Sequence, residues 1–131
     1  MPLIEPYFKD PATLHVGCEA PRAYFIPYHE LAVARTANRA HSEFVLSLCG
    51  EWDFRFFDTP EIPCGMTLDA LHALPCDKMP VPACWENFVG RGYDVPNYTN
   101  IVYPFSVDPP HLPEQNPTAL YTRRCLFLRS F

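Results

Sequence analysis

The segment from Gly92 to Tyr121 constrains the fold of this chain most, because it contains six of the 16 prolines among many aromatic residues. Proline fixes φ and removes a backbone donor, so no long helix can run through such a segment. The aromatic side chains, each able to bury about 150–250 Å² of surface, argue equally against a disordered linker. Long ordered loops are uncommon and usually carry function. The sequence therefore predicts an ordered, functional loop.

Composition indicates a folded chain without signals for nucleic acid or membrane binding. The 131 residues are 48% apolar and 19% charged, as in a single globular domain. A net charge of −5 and the lack of a Lys/Arg stripe argue against nucleic acid as a partner. No run of about 18 apolar residues predicts a membrane span, and the N-terminal residues do not resemble a secretion signal. The six cysteines include no Cys-x-x-Cys pair. Because no secretion signal is seen, we expect reduced thiols and a cytoplasmic protein, and the alternative is a disulfide framework.

Residues 1–41 predict an extended N-terminal arm. Five prolines alternate there with tyrosines and phenylalanines, a spacing that prevents long helices and suits a chain lying on another surface. Only Glu30–Arg39 has the composition of a short helical turn. The sequence thus divides into an arm over residues 1–41 and a domain over residues 42–131.

Two alternating runs give the clearest local signal. Polar and apolar residues alternate over Ser42–Leu48 and again over Glu51–Phe57, on either side of Cys49 and Gly50. Such a pattern predicts a β-hairpin or a strand pair with a tight corner. Asn or Asp is preferred before the glycine of such a turn, so Cys49 fits this position less well.

The rest of the domain predicts a short helix and further extended segments. Thr67 can cap a helical turn that ends before Pro75. Met79–Trp85 is predicted to be extended because residues before proline avoid the α region. Leu120–Leu128 resumes the alternation of a strand.

These elements amount to about three strands and much loop, fewer than a closed sandwich needs. Unpaired strand edges favour association with other chains. The last six residues, LFLRSF, are apolar. We therefore expect that the chain stops within a strand of a larger domain.

The titratable side chains give weak signals for chemistry. Glu86 and Asp94 flank an aromatic-rich stretch, and a glycosidase needs two carboxylates about 5–9.5 Å apart. The alternative is a pair of solvated loop carboxylates, and neither residue is predicted to be catalytic. The five histidines are scattered without a His-x-x-x-His pair. Because structural zinc needs four ligands, no metal site is predicted.

Asn100 is a candidate for sugar binding. A side-chain amide offers two donors and an acceptor, which match the paired hydroxyl groups of a sugar. Loop amides beside aromatic rings are typical of carbohydrate pockets. The alternative is that Asn100 satisfies backbone groups of its own loop.

Three segments carry a family resemblance: VLSL-x-GEWDFRFF (Val45–Phe57), VP-x-x-W (Val81–Trp85), and GYD-x-P-x-YTN-x-x-YP-x-x-x-DPP-x-x-P-x-x-NPT-x-x-Y-x-R (Gly92–Arg123). They resemble the N-terminal sugar-binding domain of bacterial β-galactosidases of glycoside hydrolase family 2. PRAYFIPY (Pro21–Tyr28) is similar to that family's N-terminal arm.

The resemblance implies an all-β fold, a partial jelly-roll β-sandwich of the galactose-binding-domain type preceded by the extended arm. It implies a retaining glycoside hydrolase that removes terminal non-reducing β-D-galactose residues from β-galactosides such as lactose. The family's two catalytic glutamates belong to a later barrel, so no catalytic residue is implied in this chain. The Asn of the family's Tyr-Thr-Asn motif contacts the galactosyl unit, which assigns substrate binding to Asn100 and a pocket wall to Ile101.

Cofactors and partners follow from the same resemblance. Magnesium and a monovalent cation (sodium) are implied for the full-length enzyme and none for this chain. The implied partners are a galactoside substrate and the remaining β-galactosidase domains or the subunits of a homo-oligomer. The chain alone is expected to be inactive. The alternatives are a stand-alone carbohydrate-binding module and an interaction fragment that complements a partner enzyme.

The chain departs from the family pattern in several places, among them Ala119 in place of a common glycine and Cys125 in place of an aromatic residue. Cys49 stands where the family usually has Asn before Gly, and Phe88–Arg91 resembles a small insertion. After Arg124 the resemblance fades.

Overall fold

The computed structural model describes residues 7–97, 103, 105–109 and 111–125. The chain divides into two compact units. One is His15–Cys49, and the other combines Met1–Leu14 with Gly50–Phe131. The predicted division into an arm over residues 1–41 and a domain over residues 42–131 stays a prediction.

The larger unit is built on an antiparallel sheet of three strands. Strand β1 (Gly50–Phe57) lies in the centre, with β2 (Asp77–Val81) on one side and β3 (Thr118–Thr122) on the other. Trp52 is opposite Met79 on β2, and Phe54 is opposite Tyr121 on β3. Strands supply the framework and the helices are short, which confirms the all-β prediction.

The helices of the described residues are brief. They are α1 (Leu31–Ala34), α2 (Glu61–Cys64) and α3 (Leu68–Ala73), with single 3-10 turns at Tyr7–Lys9, Arg39–His41 and Trp85–Asn87. The predicted cap of α3 is confirmed, because Thr67 Oγ1 accepts a hydrogen bond from the Ala70 amide at 3.2 Å. The predicted helical turn within Glu30–Arg39 is confirmed by α1. The described part of the chain has no helix with the length and apolarity needed to cross a membrane.

The core lies on β1 because successive side chains of a strand point to opposite faces. Phe54 is 1% exposed, and Met79 of β2 and Leu71 of α3 are also fully buried. Arg55, the neighbour of Phe54, points to the other face and is buried too. The central strand is therefore covered on both faces, with rings on one side and a cation on the other.

The predicted hairpin over Ser42–Phe57 is wrong. Residues 42–48 contain a turn and no strand, and Ser42 Oγ hydrogen-bonds the Pro27 carbonyl at 2.6 Å and the Phe44 amide at 3.2 Å. Both sides of β1 are occupied by strands from later in the chain, so no edge remains for a preceding strand.

The two other extended segments are confirmed in part. Within Met79–Trp85, β2 ends at Val81 and a 3-10 turn begins at Trp85. β3 covers the start of Leu120–Leu128, whose residues from 126 onward lie outside the described residues.

Candidate functional site

An open cleft of about 890 Å³ lies between the segment that follows β2 and the loop that leads into β3. The first segment contributes aromatic, carboxylate and amide side chains, and the loop contributes rings, amides and prolines. The lining residues used below are Trp85, Glu86, Asp94, Asn97, Tyr103, Phe105, Gln115 and Asn116. This combination of ring faces with hydrogen-bonding groups is chemically suited to a sugar, which has apolar faces and a rim of hydroxyls.

The wall formed by Trp85 is fixed to the central strand. The indole ring lies 6.2 Å from the ring of Phe54 and 6.2 Å from that of Phe56, both on β1. Phe54 also packs edge-to-face with Tyr93 and with Tyr121 of β3, each at 4.9 Å. Ring pairs at such distances add about 0.5–1.5 kcal/mol beyond area burial. The cleft is thus supported by an aromatic cluster on the sheet.

Tyr93 ties the same wall to β2. Its hydroxyl donates a hydrogen bond to Asp77 Oδ2 at 2.5 Å. Burial raises the pKa of the Tyr93 phenol above its ordinary value, and the hydrogen bond to Asp77 raises it further. The phenol therefore stays neutral at physiological pH and acts as a donor.

Glu86 and Asp94 both line the cleft. Glu86 Oε2 accepts a hydrogen bond from the Cys84 thiol at 2.7 Å, which raises the pKa of that thiol. Asp94 Oδ1 accepts from the Val95 amide at 2.9 Å. Each carboxylate has further acceptor capacity, so both are suited to receive hydrogen bonds from hydroxyl groups.

The opposite wall presents rings to solvent. Tyr103 is 61% exposed and Phe105 is 49% exposed, and their centroids lie 5.9 Å apart. Exposed rings in a cleft can cover the apolar face of a ligand at little conformational cost, since an aromatic side chain has only two χ angles.

The predicted contacts Asn100 and Ile101 lie outside the described residues. Along the chain they fall between Asn97 and Tyr103, which both line the cleft. Their roles therefore stay predictions.

Sequence reasoning did not single out the amides of Asn97, Gln115 and Asn116 as cleft residues. The available signal was their position within two residues of a proline, in a loop rich in aromatic residues. That signal is local, whereas the cleft forms only when β3 pairs with β1. Within the described residues no three His, Cys, Asp or Glu side chains are grouped as metal ligands.

The family that matches this chain and the relatives that resemble it point to the same group of enzymes. Residues 45–130 match the family "Glycosyl hydrolases family 2, sugar binding domain". The chain is 41% identical over 117 residues to a β-galactosidase of Actinobacillus pleuropneumoniae, and 35% identical over 118 residues to one of Vibrio vulnificus (strain YJ016). Each match covers 89% of this chain and 11% of the relative. A protein named β-galactosidase 2 from Enterobacter cloacae is 45% identical over 99 residues, which cover 73% of this chain and 9% of the relative. The chain thus spans about a tenth of the length of these curated relatives.

Proposed function

Because this chain belongs to the sugar-binding domain family of the family 2 glycosyl hydrolases, we propose that it is the N-terminal part of a β-galactosidase. The parent enzyme hydrolyses terminal non-reducing β-D-galactose residues in β-galactosides such as lactose. The names and identities of the relatives support this activity. The observation that carries the chain's own role is the cleft, whose two walls adjoin the Tyr-Thr-Asn segment along the chain.

In this proposal the chain binds substrate and supplies no catalytic carboxylate. Asn100 hydrogen-bonds hydroxyls of the galactosyl unit, and Ile101 forms an apolar wall beside it. Glu86 and Asp94 are acceptors for sugar hydroxyls. The nucleophile and the acid/base of the retaining reaction belong to residues of the parent enzyme beyond this chain's own.

The metal ions implied by the resemblance stay a prediction for the parent enzyme. Within the described residues no three His, Cys, Asp or Glu side chains are grouped as possible metal ligands. The proposed roles of Asn100 and Ile101 do not involve those ions.

The proposed partners are the other domains of the β-galactosidase, in the same chain or in a homo-oligomer. The cleft is open to solvent. A galactoside bound there would therefore keep part of its own surface exposed, and another domain could cover that part. The proposed compartment is the cytoplasm, where thiols are kept reduced.

An exchange of segments tests the proposal. This chain would replace the matched 117 residues of the Actinobacillus pleuropneumoniae relative, and hydrolysis of o-nitrophenyl β-D-galactoside would be assayed beside the unmodified relative. We expect the chimera to hydrolyse the β-galactoside and to leave the corresponding α-galactoside intact. A chimera that folds and assembles like the relative but has no activity contradicts the proposal.

The exposed rings of Tyr103 and Phe105 favour one further candidate, a stand-alone carbohydrate-binding module. That function requires the isolated chain to bind lactose or galactose. Calorimetric titration of the isolated chain with both sugars distinguishes the two functions, because the proposed function predicts no measurable heat of binding.

A further inference from the structure

The face of β1 opposite the aromatic cluster buries a positive charge. Arg55 is only 6% exposed. Its Nη1 donates to Thr122 Oγ1 at 3.2 Å and its Nη2 to the Leu74 carbonyl at 3.3 Å. Both acceptors are neutral, and Arg55 Nε is buried without a hydrogen-bond partner among the described residues. A buried charge is normally paired with an opposite charge, so this arrangement is incomplete.

No carboxylate of the described chain forms an ion pair with Arg55. Asp53 lies on the same face of β1, two residues away, where side chains are about 7 Å apart. Its Oδ1 is already held by Lys78 Nζ at 2.6 Å. That hydrogen bond is the main reason why the pKa of Asp53 is lowered, and the charge of Arg55 contributes less. The charge of Asp53 is therefore balanced by Lys78 first.

Arg55 lines a cleft of about 710 Å³, distinct from the one between the loops, which also contains Arg123, Arg124 and His72. Among the described residues that line it, Asp53 is the only carboxylate. The described lining thus includes three arginines and one carboxylate, on a chain whose net charge is −5. A concave surface lined by one sign of charge concentrates ions of the opposite sign.

We propose that this arginine cleft, lined by Arg55, Arg123 and Arg124, is a binding site for an oxyanion, a phosphate or a carboxylate group. Guanidinium groups match the planar or tetrahedral oxygens of such anions with paired charge-assisted hydrogen bonds. The anion supplies a negative charge that no described carboxylate provides to Arg55 as an ion pair. Arg55 points to the face of β1 opposite Phe54, and the site does not depend on the proposed β-galactosidase activity.

The test uses the full chain and two probes, inorganic phosphate and N-acetylglutamate amide, which carries a side-chain carboxylate. Binding is followed by calorimetry and by the proton–nitrogen NMR signals of the arginine Nε groups. Arg124→Gln is the main variant, because Arg124 is exposed and its replacement does not disturb the core. Arg55→Gln is the second variant. Arg22→Gln, which removes the same charge from an exposed residue of the other unit, is the control.

We expect saturable binding of at least one probe at millimolar concentration, with a shift of the Arg55 Nε signal. Losing a charge-assisted hydrogen bond predicts that Arg124→Gln raises the Kd about tenfold, while Arg22→Gln leaves it unchanged. Saturation by phosphate identifies a free anion as the ligand, and saturation by the glutamate derivative alone identifies a protein carboxylate. Failure of both probes to shift Arg55 Nε overturns the proposal, as does an equal loss of affinity in Arg22→Gln and Arg124→Gln.

Discussion

Phe54 is the residue on which the structure of the larger unit depends most. It is almost fully buried and contacts the rings of Trp85, Tyr93 and Tyr121. Trp85 and Tyr93 belong to the segment that follows β2, and Tyr121 belongs to β3. One side chain therefore links the sheet to the candidate site.

Replacing this ring is expected to destabilise the unit strongly. Phe54→Ala should lower the free energy of unfolding by about 3–5 kcal/mol, because it removes buried surface and leaves a cavity. Phe25→Ala is the control, since Phe25 is 65% exposed and belongs to the other unit. Urea denaturation followed by tryptophan fluorescence measures both variants. Equal losses in the two variants would show that the core is not centred on Phe54.

Tyr93 predicts how stability changes at alkaline pH. Burial and the bond to Asp77 raise its pKa in the folded state above the ordinary value of 10.0, so the folded chain favours the neutral phenol. Its stabilising contribution is therefore complete below pH 10.0 and is lost as pH rises through the raised folded-state pKa. Burial also raises the pKa of Tyr121, which adds to the same loss.

The unfolding free energy of the native chain should thus fall as pH rises above about 10.0. Tyr93→Phe should make this fall shallower without abolishing it, because Tyr121 remains. Tyr103→Phe, in the exposed wall, is the matched control. A pH dependence identical in the native chain and in Tyr93→Phe would contradict the account.

At the scale of elements, α3 shows which local signals are sufficient. Thr67 caps the helix through the Ala70 amide, and both the cap and the end before Pro75 were predictable from sequence. Thr67→Ala should lower the free energy of unfolding by about 1 kcal/mol, since an N-cap oxygen satisfies an otherwise unpaired amide. Thr67→Ser keeps that oxygen and should retain most of the stability. Chemical denaturation of the three proteins decides, and a loss of the same size in Thr67→Ser would exclude the cap as the cause.

The strands show where local signals fail. Alternation correctly indicated β1, but the same alternation over Ser42–Leu48 gave no strand. A pattern of side chains does not identify a strand's partner. β1 instead pairs with residues up to Thr122, far along the chain, and these long-range pairs leave no room for a hairpin.

The candidate site was predictable only in its chemistry. The loop's aromatic residues were evident from the sequence, and its proposed role in sugar binding was suggested by family resemblance. That Trp85, Asp94 and Phe105 line one cleft could not be predicted from the sequence, because their approach requires the pairing of β3 with β1. The buried charge of Arg55 was equally hidden, since an arginine within a strand ordinarily points to solvent.

At the scale of the whole molecule, the sheet predicts association. Within the described residues, β2 and β3 each have a strand partner on one side only. Lys78 and Pro80 on β2 oppose pairing at that edge. We therefore expect β3 to be the edge that associates, so the isolated chain should form larger species as its concentration rises. Sedimentation velocity over a concentration series measures this, and a monomer with one sharp cooperative melt would contradict it.

The central claim is that this chain contributes a substrate contact from the loop beside the cleft. The most direct measurement is the kcat/KM of the β-galactosidase chimera carrying Asn100→Ala, compared with the parent chimera and with Asn87→Ala. Asn87 is exposed and does not line the cleft, which makes it the matched control. Loss of one or two hydrogen bonds to the sugar predicts a fall in kcat/KM of about tenfold for Asn100→Ala and no change for Asn87→Ala. Equal kcat/KM values for the parent chimera and Asn100→Ala would contradict the claim.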